Sequence, residues 1–157
     1  MANTLEPWSA ERAREIVKSY RRLDGAALPI LHALQDAFGC VPQEAVPLIA
    51  DALNLSRAEV HGIVTFYDDF RRAPPGRHVL KLCRAEACQS MGGDALAESA
   101  QEKLGVNFWE TTRDGAVTIE PVYCLGLCAC APAAMLDGKP VGRITRDKLE
   151  KLLGAVA

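Results

Sequence analysis

Through the first half of the chain, apolar residues recur every three to four positions; beyond a proline- and glycine-bearing stretch they collect into short runs. The first pattern is that of amphipathic helices, the second that of strands bounded by turns. Ala13, Ile16, Val17 and Tyr20 share one apolar face, and Ser9 stands where a cap is needed, so a helix is predicted from Ser9 through Tyr20. Asp24-Gly25 ends it. Ile30, Leu31, Leu34 and Phe38 predict a second helix over 29–38, with Pro29 early and Gly39 at the stop. A third starts near Glu44 and buries Val46, Ile49, Ala50 and Leu53; Pro47 falls in its first turn, where no N–H partner is needed. Ser56-Arg57-Ala58-Glu59 then reads as a capping box, with Leu55 and Val60 placed as its hydrophobic staple. That helix leads into Thr65-Phe66-Tyr67, of which Phe66 is expected in the core.

Arg72-Ala73-Pro74-Pro75-Gly76 can continue neither helix nor strand and marks a boundary, giving a helical domain over 1–75 and a second domain over 76–157. In the second domain, strands are predicted at 78–82, 108–111, 117–122, 133–136 and 141–144. Arg113-Asp114-Gly115 and Asp137-Gly138-Lys139 supply turns between them. Asp94 is expected to cap a helix to Leu104 that packs through Ala95, Leu96, Ala100 and Leu104. Thr145 is expected to cap a last helix through Leu153, using Leu149, Leu152 and Leu153. The fold class is α+β: a helical bundle followed by a mixed sheet flanked by helices.

Composition narrows the functions. The 157 residues are 49% hydrophobic and 24% charged, with a net charge of −2, which supplies no excess of positive charge for nucleic acid or an anionic membrane. Every apolar run is far shorter than the roughly 20 residues a membrane-spanning helix needs. The N-terminus carries Glu6 and Glu11 and no apolar core typical of a signal peptide, so a cytoplasmic protein is expected. In that compartment disulfides are rare, and clustered cysteines point to metal or redox chemistry.

Four of the six cysteines form two pairs, Cys83-Arg-Ala-Glu-Ala-Cys88 and Cys124-Leu-Gly-Leu-Cys128, and each pair follows a predicted strand. Two such loops side by side present four thiolates to one place, which suits an iron–sulfur cluster or zinc. Neither pair has the Cys-x-x-Cys spacing of a thioredoxin-type redox disulfide. Structural zinc stays open on spacing alone, although the intervening 35 residues hold more fold than a zinc knuckle needs. Cys40, alone at a helix end, reads as a packed thiol. Cys130 reads as a spare ligand, an oxidation-prone neighbour or a packed thiol, with packing favoured. His32, His61 and His78 are not spaced with the cysteines, and no Gly-rich nucleotide-binding motif is present.

The joint pattern resembles a known family. Cys83-x4-Cys88, Cys124-Leu-Gly-Leu-Cys128-Ala-Cys130-Ala131-Pro132, Val41-Pro42-x-Glu44-Ala45 and Val60-His61-Gly62-Ile63-Val64-Thr65-Phe66-Tyr67 together resemble the thioredoxin-like [2Fe-2S] subunit of NADH dehydrogenases. Within it, the stretch from Cys83 to Gly92 looks most like the gamma subunits of soluble, molybdenum-dependent, NAD-linked formate dehydrogenases. The resemblance implies a thioredoxin-like second domain and one [2Fe-2S] cluster held by Cys83, Cys88, Cys124 and Cys128. It implies a partner subunit carrying FMN and the NAD site, and a larger subunit carrying the molybdenum cofactor that oxidises formate. A respiratory NADH:quinone oxidoreductase or an NAD-linked hydrogenase is the alternative parent. Backbone N–H groups at Gly92, Gly93 and Gly126 are candidates for stabilising the cluster's charge, and Arg84 for adding positive potential, with an ion pair to Glu86 as its other reading. The helical domain, through Thr65-Phe66-Tyr67 and Phe70, is a candidate docking surface for the flavin subunit.

Overall fold

A computed structural model describes residues 5–156, and the chain separates into two compact units, Met1–Pro74 and Pro75–Ala157. Among the described residues, no helix is long and apolar enough to cross a membrane.

The first unit is four helices: α1 (Ala10–Tyr20), α2 (Ala27–Phe38), α3 (Ala45–Leu53) and α4 (Arg57–Phe66). Each boundary has a local cause. The Ser9 hydroxyl accepts the Arg12 N–H, and Gly39 closes α2 in the left-handed conformation at φ 78°. At α4 both halves of the capping box form: Ser56 Oγ accepts the Glu59 N–H at 3.1 Å, and Glu59 Oε2 accepts the Ser56 N–H at 2.8 Å. The core is Ile30, Leu31 and Leu34 from α2, Ile49 from α3 and Val60 from α4, all essentially inaccessible to water.

The buried Gln35 was not foreseen. Its side-chain amide donates to the Asp69 carbonyl and accepts the Arg71 N–H, each at 2.7 Å, and so ties the segment after α4 to α2. A buried amide with both ends bonded fixes a chain path without a desolvation penalty. Two expectations are corrected. Tyr20 is exposed at the rim of α1. Phe66 is not core: it is 77% exposed, while Val64 and Phe70 are buried, because the helical stripe runs through Val60 and Val64.

The second unit is a four-stranded mixed sheet in the order β2-β1-β3-β4. Its strands are β1 (His78–Cys83), β2 (Val117–Val122), β3 (Ala134–Leu136) and β4 (Lys139–Val141). The helices are a short α5 (Glu86–Ser90), α6 (Gly93–Leu104) and α7 (Arg146–Gly154). β1 pairs parallel with β2 and antiparallel with β3, and β3 pairs antiparallel with β4. Leu80, Leu82, Val117 and Ile119 form the core with Ala97 and Ala100 of α6 and Leu149 and Leu153 of α7. Thr145 caps α7 by accepting the Lys148 N–H. His78 has a structural role, with Nδ1 2.8 Å from Asp137 Oδ2.

Several predicted details shift. Residues 108–111 do not form a regular strand: Trp109 has φ 70° and Glu110 Oε2 accepts the Asn107 N–H, so the segment runs beside β2 only through the bonds of Trp109 and Glu110 with Ile119, that of Thr112 with Val117, and an isolated bridge from Thr111 to Thr118. The last strand is Lys139–Val141 rather than 141–144. Asp137 and Gly138, at φ 49° and 77°, form a two-residue hairpin turn that pairs Leu136 with Lys139, and Arg143 at φ 51° breaks the extended run. Asp94 does not cap α6; Gly92 does, and the helix begins at Gly93. The buried stripe of α6 is Gly93, Ala97 and Ala100, with Ala95 exposed.

Replacing Ser56 by Ala removes one half of the capping box and is expected to cost about 1 kcal/mol, read as a lower denaturant midpoint for the helical unit. The Glu59 carboxyl is held below its usual value by the Ser56 backbone N–H first and the hydroxyl second. Its contribution is therefore full above the ordinary glutamate pKa and lost as pH falls through the lowered one. The stability gap between wild type and Glu59→Ala should narrow over that acid range.

Candidate metal centre

Parallel pairing of β1 with β2 decides where the cysteines go. The register matches Cys83 with Val122, so both strands end at the same edge of the sheet, and each runs straight into its cysteine-bearing turn. Cys83 is the last residue of β1, and its N–H donates to the Ala133 carbonyl at 3.1 Å. The next N–H, of Arg84, donates to the Val122 carbonyl at 2.8 Å. The first turn is thus held between β2 and the start of β3.

Cys88 lies on α5, not in an open loop, and is only 2% exposed. Gly93 makes that position possible. A Cβ at Gly93 would stand 2.6 Å from the Cys88 carbonyl oxygen, closer than any side chain tolerates. Its role is this close approach. Nor is Gly92 N–H free for a cluster, since it donates to the Gln89 carbonyl.

The second turn leaves β2 through Tyr123, which is exposed. Cys124 has φ 123°, a conformation that L-residues seldom adopt and that marks a constrained site. Gly126, at φ 74°, turns the chain back so that its N–H donates to Cys124 Sγ at 3.3 Å. A 3-10 turn over Cys128–Cys130 follows. Cys124 Sγ and Cys128 Sγ stand 3.7 Å apart. Two sulfurs on one tetrahedral metal, with bonds of about 2.3 Å, stand about 3.8 Å apart. This pair is thus spaced to share one metal atom.

The four thiols act on one another. The Cys88 thiol is pushed above its usual value by burial first and by its hydrogen bond with Cys83 second; the charges of Cys83 and Cys128 add, and the Ala133 N–H opposes. Cys128 is raised chiefly by its hydrogen bond with Cys124, then by the charge on that sulfur, with burial and Cys83 adding. Cys124 and Cys128 are in direct contact, and the charges of Cys83 and Cys128 act across the two pairs. Among the described residues, no three His, Cys, Asp or Glu side chains surround a single point closely enough to hold one metal ion. One zinc needs its four donors about a common centre, whereas two irons bridged by sulfide ask for two thiolates each. Cys124 and Cys128 at the spacing of one metal atom, with Cys83 and Cys88 within electrostatic reach, fit the binuclear demand better.

The other two cysteines stand apart. Cys40 belongs to the helical unit, where burial pushes its thiol up. Cys130 ends the 3-10 turn and packs against Gly142: a Cβ at 142 would lie 2.7 Å from Cys130 Cβ. Among the described residues, no hydrogen bond joins the Cys130 sulfur to the four paired thiols. Arg84 pairs with Asp94, Nη2 to Oδ1 at 3.1 Å, and lies over the Phe108 ring, so the Glu86 reading is set aside. The steric roles of Gly93 and Gly142 and the bond from Ala133 to the Cys88 sulfur were missed from sequence. They depend on contacts across the fold, and Ala133 carries no chemical signal of its own.

The chain matches the family model described as thioredoxin-like [2Fe-2S] ferredoxin over residues 13–157. It is 37% identical over 130 residues to a subunit of the NADH-quinone oxidoreductase of Pseudomonas aeruginosa, covering 83% of this chain and 78% of that protein. It is 31% identical over 139 residues to the HndA subunit of the NADP-reducing hydrogenase of Solidesulfovibrio fructosivorans, covering 88% and 81%. The crystal structure of an NAD+-reducing [NiFe]-hydrogenase in the H2-reduced state shares the fold with a TM-score of 0.67 at 24% identity. That match covers 80% of this chain and 22% of the hydrogenase chain.

Gly93→Ala should displace Cys88 from its site. The expected result is protein that keeps its helical circular dichroism but binds substantially less iron per chain. Gly62→Ala, in open space inside α4, serves as the contrasting variant: it should leave iron content unchanged and stabilise the chain by about 0.5–1 kcal/mol.

Proposed function

The chain belongs to the thioredoxin-like [2Fe-2S] ferredoxin family, whose members carry one such cluster, and from that premise we propose that Cys83, Cys88, Cys124 and Cys128 ligate it in a one-electron carrier subunit. The observation that supports this most is the same-edge exit of the two cysteine turns, with Cys124 and Cys128 at the separation one metal atom requires.

When bound, the cluster supplies one-electron exchange with a flavin. The chain's residues determine how it is held. Cys83 and Cys88 are buried, whereas Cys124 and Cys128 are exposed, so one half of the site faces the interior and the other faces a partner. The Gly126 N–H on Cys124 and the Ala133 N–H on Cys88 favour the thiolate forms and oppose the mutual repulsion of the sulfurs. Tyr123, exposed beside Cys124, borders the face where electrons would pass.

The parent complex is read as an NAD-linked oxidoreductase in which a partner subunit holds FMN and the nicotinamide site. Similarity to subunits of an NADH-quinone oxidoreductase and an NADP-reducing hydrogenase supports that level and fits either parent. The finer reading, a formate dehydrogenase with a larger molybdenum-containing subunit, rests on Cys83-Arg-Ala-Glu-Ala-Cys88-Gln89-Ser90-Met91-Gly92. The helical unit is read as a docking domain and the chain as cytoplasmic. Phe66 and Tyr67, exposed in edge-to-face contact, are aromatic anchors of the kind that dominate interfaces.

Anaerobically purified protein is expected to hold about two irons and two acid-labile sulfides per chain; one zinc without sulfide would instead establish a zinc-stapled adaptor. Cys83→Ser, Cys88→Ser, Cys124→Ser and Cys128→Ser should each remove or alter the visible absorption, while Cys40→Ser and Cys130→Ser leave it intact. Bleaching by Cys130→Ser with Cys128→Ser unaffected would reassign that ligand. Molybdenum and formate-dependent NAD reduction in the co-purified complex would support the formate reading; nickel or quinone reductase activity would replace it.

A further inference from the structure

The outer face of α1 carries a charge pattern that the helix itself does not need. Arg14, Lys18 and Arg21 follow one another at spacings of four and three residues and so form a single stripe. Like charges at these spacings repel one another along a helix. Lys18 and Arg21 lie at the C-terminal end of α1, where cations complement the helix dipole, but Arg14 lies mid-helix and gains nothing from it. Among the described residues, none of the three makes an ion pair. Arg12, by contrast, is bound to both Glu6 and Glu15. The same helix therefore balances one cation twice and leaves three in a row unbalanced.

The stripe borders a groove between α1 and α3 with a cavity of about 390 Å³. Val17 forms part of its floor, and Leu48 and Ala52, one turn apart on α3, are half-buried along its other wall. Asp51 is the one carboxylate lining the groove.

We propose that this groove is the docking site for an acidic amphipathic helix of a partner subunit. Carboxylates at matching spacings of three and four along one edge of that helix would meet Arg14, Lys18 and Arg21. Apolar side chains beside them would pack on Val17, Leu48 and Ala52. Asp51 sets the orientation by calling for a cation on the opposite edge. Nucleic acid fits less well, because an apolar floor and Asp51 disfavour phosphates and the chain's net charge is −2. The inference rests on the reading that the chain works inside a complex, and it adds which face is used and the chemistry of its occupant.

The test uses the full chain, affinity-tagged and co-purified with its native partners. A photo-crosslinking residue in place of Ala52 should label one segment of a co-purifying subunit, and that segment should be carboxylate-rich and helical. The triple change Arg14→Glu, Lys18→Glu, Arg21→Glu should weaken association about tenfold or more and flatten its salt dependence, with circular dichroism and visible spectrum unchanged. Replacing the labelled carboxylates by lysine should restore binding to the triple variant and weaken it to wild type. Arg57→Glu, at the start of α4 and outside the groove's lining, should change nothing. If wild type retains its flavin-bearing partner and the triple variant binds equally well, the groove proposal fails while the proposed function stands. Labelling of nucleic acid, of a second copy, or of no partner at all overturns the groove's assigned occupant. A wild-type chain that co-purifies with no flavin-bearing subunit overturns both readings.

Discussion

Everything chemical in this protein depends on the parallel pairing of β1 with β2. Had those strands paired antiparallel, the turn after Cys83 and the turn before Cys124 would lie at opposite ends of the sheet, and four thiols could not meet. Parallel pairing requires a long crossover, and the segment between the strands, containing α5 and α6, supplies it. The register then matches Cys83 with Val122, which leaves Tyr123 and Cys124 just past the sheet edge. The 35 residues between the pairs are the length of chain needed to bring the second pair back beside the first.

Once the two turns meet, space becomes the next constraint. Two positions allow no side chain: Gly93, against the Cys88 carbonyl, and Gly142, against Cys130. Both press a neighbouring segment onto a cysteine-bearing turn, while Val122, Leu125 and Leu127 pack against the buried Cys83 and Cys88. Cys124 holds an unfavourable backbone angle for the same reason, and the N–H of Gly126 lies on its sulfur because of that bend. The strain at Cys124 is held by the surrounding turn, with Gly126 in the left-handed region and its N–H on the Cys124 sulfur.

Much of this was legible in the residues, and the limits of legibility have physical causes. Ser9, Ser56 and Thr145 announced helix starts because a cap is a local event, settled within four residues. The strand-like runs before Cys83, Val79-Leu80-Lys81-Leu82, and before Cys124, Val117 to Tyr123, announced strands. Residues 108–111 read as a strand because Phe108 and Trp109 favour one, yet a turn closed by Asn107 and Glu110 prevails there. Phe66 read as core because aromatic residues usually are, but its position on α4 faces away from Val60 and Val64. Asp94 read as a cap by residue type, while the start of α6 is dictated by how closely Gly93 must approach Cys88. Local rules succeeded where the cause was local, and failed where a contact from a distant segment set the outcome. Gln35, whose two hydrogen bonds span more than thirty residues of sequence, had no local signature.

Burial separates the two cysteine pairs in a way that bears on how the site is assembled. Four ionised sulfurs in one place repel one another, and the raised Cys88 and Cys128 values express that repulsion together with burial. Cys88 and Cys128 are therefore held toward the neutral form, and metal binding there must displace a proton from each. A small zinc knuckle meets that demand by folding only when metal arrives. Here the sheet has its own apolar core of Leu80, Ile119, Leu149 and Leu153, away from the sulfurs. The second unit thus has an apolar core apart from its sulfurs, and Cys83 and Cys88 are placed by β1 and α5. Cys124 and Cys128 lie on the solvent side. On the proposed ligand set, the buried pair would anchor the cluster at the end of β1 and on α5, and the exposed pair would form the half turned toward a partner.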